Sequence, residues 1–194
     1  MAKLLPLPHA LARRLARNSH ERDLLRRAQN GDREAVAVLL GRHREAVGRL
    51  CFQILRERER AEDAAQEILL RAFEKMPQFR GESEFSTWLY RVALNHCLEI
   101  KRTSTRRESL FGGEEEARST ADFSPRSDTR MALETALDAL PEPLQIVLVL
   151  RQWHDQSYEQ IGAILNLPTG TVKSRLHQAR REFCRIWEAQ NAEN

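Results

Sequence analysis

The sequence predicts an all-α protein built as two small helical domains joined by a flexible linker. Three observations lead there. Apolar residues recur at spacings of three and four through most of the chain, the period that gathers side chains on one helix face, and no stretch alternates as a strand would. Between Ser104 and Asp128 that period lapses, while Gly112, Gly113, Ser119, Ser124, Pro125 and the acidic block Glu114 to Glu116 arrive together, the composition of a tether. At 194 residues and 22.5 kDa the chain has room for two small cores, each near the lower limit for independent folding. The predicted division is a basic N-terminal extension at 1–19, a first domain at 20–103, the linker at 104–128, a second domain at 129–188 and a tail at 189–194.

The extension holds Lys3, Arg13, Arg14 and Arg17 with two early prolines and no signal-peptide core, and no function is assigned to it. A short amphipathic helix then runs from Glu21 to Gln29 and ends at Asn30 and Gly31. Asp32 caps a longer helix to about Leu55, with Val36, Leu39, Leu40, Val47, Leu50 and Ile54 inward and His43 and Cys51 beside them. After a charged connector, AEDAAQEILLRAFEKM makes a helix stopped by Pro77. Ala61, Ala65, Ile68, Leu69, Ala72 and Met76 face its core, while Glu62, Asp63, Gln66, Glu67 and Arg71 face out. Such a face is either merely solvated or a docking surface for a polar or basic partner.

Gln78 to Glu84 reads as a polar loop, after which Ser86 caps a helix carrying Trp88, Tyr90, Arg91 and Asn95. Leu89, Ala93, His96 and Ile100 form its core stripe; Trp88, Arg91, Asn95 and Arg102 drift along another. An aromatic, an amide and cations side by side suit stacking on unpaired bases while holding phosphates. The alternative places both aromatics in the core. Beyond the linker, Asp128 caps a helix through Met131, Leu133, Leu137 and Leu140, Pro141 and Pro143 break it, and LQIVLVLRQW makes a strongly apolar helix.

Ser157 to Trp187 constrains function most. Ser157 caps a short helix with Ile161, Ile164 and Leu165 on one side; Asn166, Leu167 and Pro168 interrupt it; Thr169 caps a second helix. There Val172, Leu176, Ala179 and Phe183 stack on one stripe. At about 100° per residue, Gly170, Ser174, His177, Gln178 and Arg181 fall opposite, flanked by Lys173, Arg175 and Arg180, with no acidic residue between Thr169 and Arg181. A short helix supporting a longer polar, basic one is the helix-turn-helix arrangement, whose second helix enters the DNA major groove. Arg and Lys can meet guanine, and Gln can pair with adenine. An ordinary helical hairpin with a solvated basic face is the alternative.

The formal charge of +3 and isoelectric point near 9.0 are mildly basic, so nucleic-acid binding must rest on where the cations cluster: Lys101, Arg102, Arg106 and Arg107 in one patch, Lys173 through Arg185 in another. Cys51, Cys97 and Cys184 fit no CxxC or metal-ligand spacing, which predicts a reduced cytoplasm, no metal and no cofactor. No apolar run is long enough to span a bilayer. There is no P-loop, GxSxG or HExxH for an enzyme, so no catalytic residue and no small-molecule substrate are predicted. A free-standing helix-turn-helix regulator would normally dimerise on half-sites about 34 Å apart, and no dimerisation element is evident.

Four segments in order, DAAQEILLRAF (Asp63 to Phe73), FRGESEFSTWLYRVALN (Phe79 to Asn95), LPEPLQIVLVLR (Leu140 to Arg151) and YEQIGAILNLPTGTVKSRLHQARR (Tyr158 to Arg181), resemble extracytoplasmic-function (ECF) sigma factors of bacterial RNA polymerase. The resemblance spans about Glu21 to Trp187. It implies a sigma region 2 followed by a sigma region 4, which together bind core polymerase, recognise the -10 and -35 promoter elements, melt the -10 region and direct initiation. By that likeness Asp63, Gln66, Glu67, Leu70 and Phe73 dock on the polymerase beta-prime coiled coil. Phe79, Arg80, Phe85, Ser86, Trp88, Arg91 and Asn95 serve -10 recognition and melting. Thr169, Gly170, Lys173, Ser174, Arg175, His177, Gln178 and Arg181 read the -35 element, and the apolar helix near Val147 to Leu150 rests on the beta flap. Glu114 to Glu116 would travel toward the RNA path and mimic nucleic acid. Many relatives are held inactive by an anti-sigma factor, although no residue here announces such a partner.

Overall fold

The computed structural model describes residues 20–111 and 128–192. Every regular element among them is helical. Helix α1 (20–29) ends at Asn30 and at Gly31, whose φ of 88° needs glycine's freedom. The Asp32 carboxylate then accepts the backbone N–H groups of Glu34 at 3.1 Å and Ala35 at 3.0 Å, which starts α2 (Arg33–Leu55). The predicted stripe of α2 is buried, Cys51 included, and the helix closes at Arg56 in the left-handed region with φ 61°. Then come α3 (Arg58–Lys75), a 3-10 turn (Met76–Gln78) that holds Pro77, and α4 (Phe85–Phe111).

Helix α4 departs from expectation at both ends. It begins at Phe85, with the Trp88 N–H bonded to the Glu84 carbonyl, so Ser86 lies inside the first turn and does not cap it. It also runs on to Phe111, through residues expected to be tether, because no glycine or proline occurs before Gly112. Thr103 and Thr105 hydroxyls donate back to carbonyls one turn earlier and so remain compatible with the helix. The Glu114 to Glu116 block and the basic stretch 1–19 lie outside the described residues.

The second half contains α5 (Asp128–Asp138), α6 (Glu142–Gln152), α7 (Tyr158–Leu165) and α8 (Thr169–Ala192). Pro143 sits in the first turn of α6, where a missing N–H breaks no bond. Residues Leu144 to Leu150 are all buried, so the run expected to rest on the beta flap is instead the spine against which α8 packs. Helix α8 extends past the predicted domain end into the expected tail.

The two halves are not held apart. Helix α4 packs on α7, α2 touches α6, and the buried apolar side chains of both halves form one continuous cluster. Arg56, only 11% exposed, pairs with Asp138 of α5 at 2.7 Å, and Lys101 of α4 pairs with Glu142 of α6 at 2.8 Å. No helix among the described residues is long and apolar enough to cross a membrane.

Candidate nucleic-acid interface

The helix-turn-helix is built from local chemistry. Ser157 and Gln160 form a reciprocal capping box: the Gln160 N–H donates to Ser157 Oγ at 3.1 Å, and the Ser157 N–H to Gln160 Oε1 at 2.7 Å. Helix α7 ends on Asn166 in the left-handed region with φ 55°, and the Leu167 N–H returns to the Gly162 carbonyl at 2.9 Å. Gly162 is required here, since a Cβ would stand 2.7 Å from the Leu167 carbonyl oxygen. The turn fixes α8 across α7, with Val172, Leu176 and Ala179 buried and Phe183 partly buried on the predicted stripe.

The opposite face of α8 is open. Gly170, Lys173, Ser174, His177, Gln178 and Arg181 are exposed, while Thr169 and Arg175 are half-buried at its margin. The first turn of α8 has no acidic residue of its own, so the positive end of the helix dipole lies among cations and neutral groups of that helix, with Glu159 of α7 near Lys173. The aromatic ring of Tyr158 lies under two cations, with the Arg151 guanidinium 5.3 Å and the Lys173 ammonium 5.9 Å from its centroid. Sequence reasoning missed this Tyr158 clamp, which holds Lys173 at the edge of the exposed face. Glu159 accepts its own N–H and is held to Ser157, which keeps its carboxyl below the usual range and charged.

On the first half, the seven residues predicted to serve melting divide into two sets. Phe79, Phe85 and Trp88 form an aromatic cluster with centroids 5.3 to 5.8 Å apart. Phe79 and Phe85 are buried, which corrects their expected role as direct strand contacts: they anchor the loop from beneath, and only Trp88 retains some exposure. Gln29 of α1 secures the same loop by donating to the Phe79 carbonyl at 3.1 Å. Ser86 is half-buried, whereas Arg80 and Asn95 are exposed. Arg91 is exposed too but occupied, its guanidinium donating to the Ala163 carbonyl of α7.

On α3 the predicted residues lie mostly on the outer face. Asp63, Gln66 and Glu67 are exposed, and Leu70 is 66% exposed, unusual for a large apolar side chain. Phe73 is partly buried beneath the Arg33 guanidinium at 5.3 Å. Glu67 is also shared, lying 3.4 Å from Arg71 and 3.0 Å from Nε2 of buried His96. Burial and the nearby Arg71 push the His96 pKa down, so the imidazole stays neutral. A groove of about 1110 Å³ separates this face from the second half, lined by Phe52, Gln66, Leu69, Leu133, Leu137 and Trp153 among others.

His154, to which the sequence offered no pointer, joins the halves. Buried in the turn between α6 and α7, it meets the Tyr90 hydroxyl of α4 through Nδ1 at 3.1 Å and Gln53 Oε1 of α2 through Nε2 at 2.8 Å. With Gln53 accepting, Nε2 carries the hydrogen and Nδ1 accepts from Tyr90, which satisfies the neutral ring. Burial, with Arg49 nearby, pushes its pKa down to about 4, opposed by Asp155. Cys51 and Cys97 are buried free thiols, and contact with Cys51 together with burial pushes Cys97 up, which keeps it protonated and inert. No group of His, Cys, Asp and Glu among the described residues could hold a metal ion.

Comparison with known proteins agrees with this geometry. Residues 39–107 match the family model for Sigma-70 region 2, and residues 130–183 match that for Sigma-70, region 4. The chain is similar to the RNA polymerase sigma-H factor of Pseudomonas aeruginosa, 31% identical over 82% of this chain and 90% of the relative. It is likewise 32% identical to the ECF RNA polymerase sigma factor SigW of Bacillus subtilis, over 80% of this chain and 90% of that one. Its fold is similar to that of CnrH, solved in complex with the cytosolic domain of CnrY, with a TM-score of 0.68 and 21% identity over 87% of this chain and 97% of that chain.

Proposed function

This chain belongs to the extracytoplasmic-function (ECF) sigma factors of bacterial RNA polymerase, and on that premise we propose which of its surfaces meet polymerase and promoter. The -35 element is read by α8, whose exposed face carries Lys173, Ser174, His177, Gln178 and Arg181 with Arg175 at its margin. In this reading Arg175 and Arg181 supply guanine or phosphate contacts, Gln178 an adenine contact, and Lys173, held by Tyr158, a phosphate. The N–H groups of Thr169 and Gly170 approach the backbone at the helix N-terminus.

The -10 element is captured on the first half. Trp88 offers a face for stacking, Asn95 a base contact, and Arg80 and Arg91 the cations that track the displaced strand. Unpairing a base costs a few kcal/mol, which stacking offsets, so recognition and melting proceed together without nucleotide hydrolysis. Core polymerase docks on α3 through Asp63, Gln66, Glu67 and the exposed Leu70, with Phe73 beneath. The beta flap contact belongs to the second half, on a surface other than the buried run Val147 to Leu150. The chain acts in the cytoplasm as a non-catalytic subunit that lends promoter choice to the polymerase.

One observation carries the reading: a helix-turn-helix whose second helix presents an exposed, acid-free face of cations and amides. The experiment is transcription by reconstituted core enzyme on a pooled promoter library, with start sites sequenced. New start sites appear only with the chain, and Arg175→Ala and Arg181→Ala each weaken upstream binding by about 1 to 3 kcal/mol for a lost bidentate contact. Identical start sites with and without the chain refute the function, and unchanged footprints in both variants refute the α8 assignment.

A further inference from the structure

We propose that His96 of α4 is a positioning residue for polymerase docking, which orients the Glu67 carboxylate of α3 toward an incoming partner without cancelling its charge. The role rests on the docking of core polymerase at α3 given above, and it belongs to a residue that does not itself lie on that face. Glu67 is exposed, yet one of its oxygens is approached from two sides. Arg71, one turn further along α3, donates to Oε2 at 3.4 Å, and Nε2 of His96 stands 3.0 Å from the same atom. Oε1 is left for a partner. Arg71 is in turn drawn toward Glu99 of α4 at 3.8 Å, while Nδ1 of His96 stands 4.0 Å from that carboxylate. Two residues of α3 and two of α4 therefore meet at one corner of the seam between the helices.

The charge of this corner selects the partner. Two carboxylates stand against one guanidinium, and burial together with Arg71 keeps the imidazole neutral, so the corner stays negative. A lysine or arginine at position 96 would hold Glu67 as firmly but neutralise it. A neutral N–H group steers the carboxylate and leaves its charge to a guanidinium or ammonium on the polymerase side, with Asp63 one turn earlier on α3 adding to the same field.

Packing alone does not account for an imidazole here. His96 is 6% exposed and continues the buried stripe of Leu89 and Ala93, where a leucine of similar size would serve a purely apolar seam. Its approach to Glu67 is close but off the line of a hydrogen bond, and neither ring nitrogen has a hydrogen-bond partner among the described residues. A buried polar group in that condition costs stability. With the hydrogen on Nε2, a small turn of the carboxylate as a cation engages Oε1 brings Oε2 into line with the ring N–H. Docking thus completes a bond that the free chain holds ready.

The test is a titration of core polymerase with the full chain labelled at exposed Cys184, with Tm recorded for every variant. His96→Leu lowers affinity about fivefold, within the range of coupling between groups in contact. It leaves Tm unchanged or raised, since an apolar side chain replaces a buried imidazole without hydrogen-bond partners. His96→Gln, whose amide still donates toward Glu67, recovers most of the loss. In a Glu67→Ala background His96→Leu has no further effect.

Undiminished affinity in His96→Leu, while Asp63→Lys and Glu67→Ala still lower it, overturns the positioning role and leaves the docking face standing. A loss in His96→Leu that is equally large with Glu67 present or absent, or that tracks a fall in Tm across the His96 variants, overturns it as well. Unaltered affinity in both Asp63→Lys and Glu67→Ala overturns the docking face itself, and the role of His96 with it.

Discussion

Acid should loosen the junction between the halves, and the size of the effect follows from one imidazole. His154 is buried in the closed arrangement with its pKa pushed down to about 4, against an ordinary value of 6.5, because burial and Arg49 disfavour its charged form while Asp155 only partly compensates. Tyr90 of α4 and Gln53 of α2 complete its surroundings, and neither supplies a negative charge, for burial pushes the Tyr90 hydroxyl pKa upward. A group whose pKa is depressed by closure binds its proton preferentially in the open form. Closure is therefore at full strength above about pH 6.5 and is lost as pH falls through the window toward about 4. At ~1.36 kcal/mol per pKa unit the limit is about 3 kcal/mol, and near pH 5.5 the loss is about 1.4 kcal/mol, a tenfold shift toward the open form.

The assay is the separation between dyes on α1 and α8 followed from about pH 7.5 to about 5, with far-UV circular dichroism recorded alongside to show that the helices persist. His43 and His96, in the first half, are also pushed below their ordinary range, mainly by burial. The discriminating quantity is thus the difference between the wild-type chain and His154→Gln, which keeps hydrogen-bonding capacity but cannot titrate. The wild-type separation lengthens on acidification more steeply than the variant's. Equal slopes would refute the assignment of the acid sensitivity to His154, and a wild-type separation independent of pH would refute the linkage argument itself.

Three further outcomes are expected. Asn95→Ala, at an exposed position on α4, leaves core polymerase affinity unchanged and lowers open-complex formation, read as reduced permanganate reactivity of the melted bases; normal reactivity would remove it from strand capture. Charge reversal at exposed Asp63 lowers affinity for core polymerase in a titration of labelled chain without lowering Tm; unaltered affinity would return that face to simple solvation. Leu176→Ala, at a site 2% exposed on the buried face of α8, costs about 2 to 5 kcal/mol in denaturant unfolding, and a cost below about 1 kcal/mol would mean that α8 is not packed as described.

What the sequence made legible and what it hid divide along a physical line. Helix faces, caps and breaks are written within a few residues of each other, which is why Asp32, Ser157 and the stripe from Val172 to Phe183 could be read directly. The outward faces of α3 and α8 were legible for the same reason, since each is one side of one helix. The relation between the halves is written nowhere locally. His154 and Tyr90 are 64 residues apart and His154 and Gln53 are 101 apart, and a single histidine in a turn has no periodicity to betray its partners. Phe79 and Phe85 were misread because an aromatic at a polar loop looks the same in sequence whether it waits for a base or plugs the floor. Arg91 shows why the missing relation matters for function. Its guanidinium suits a phosphate and suits a helix carbonyl equally well, so its residue type records a capacity, and only the disposition of α7 decides which partner it holds in the free chain. In the free chain Arg91 holds the carbonyl of Ala163, so any other partner its guanidinium takes must displace that bond, and the packing of α7 on α4 sets how readily it is given up.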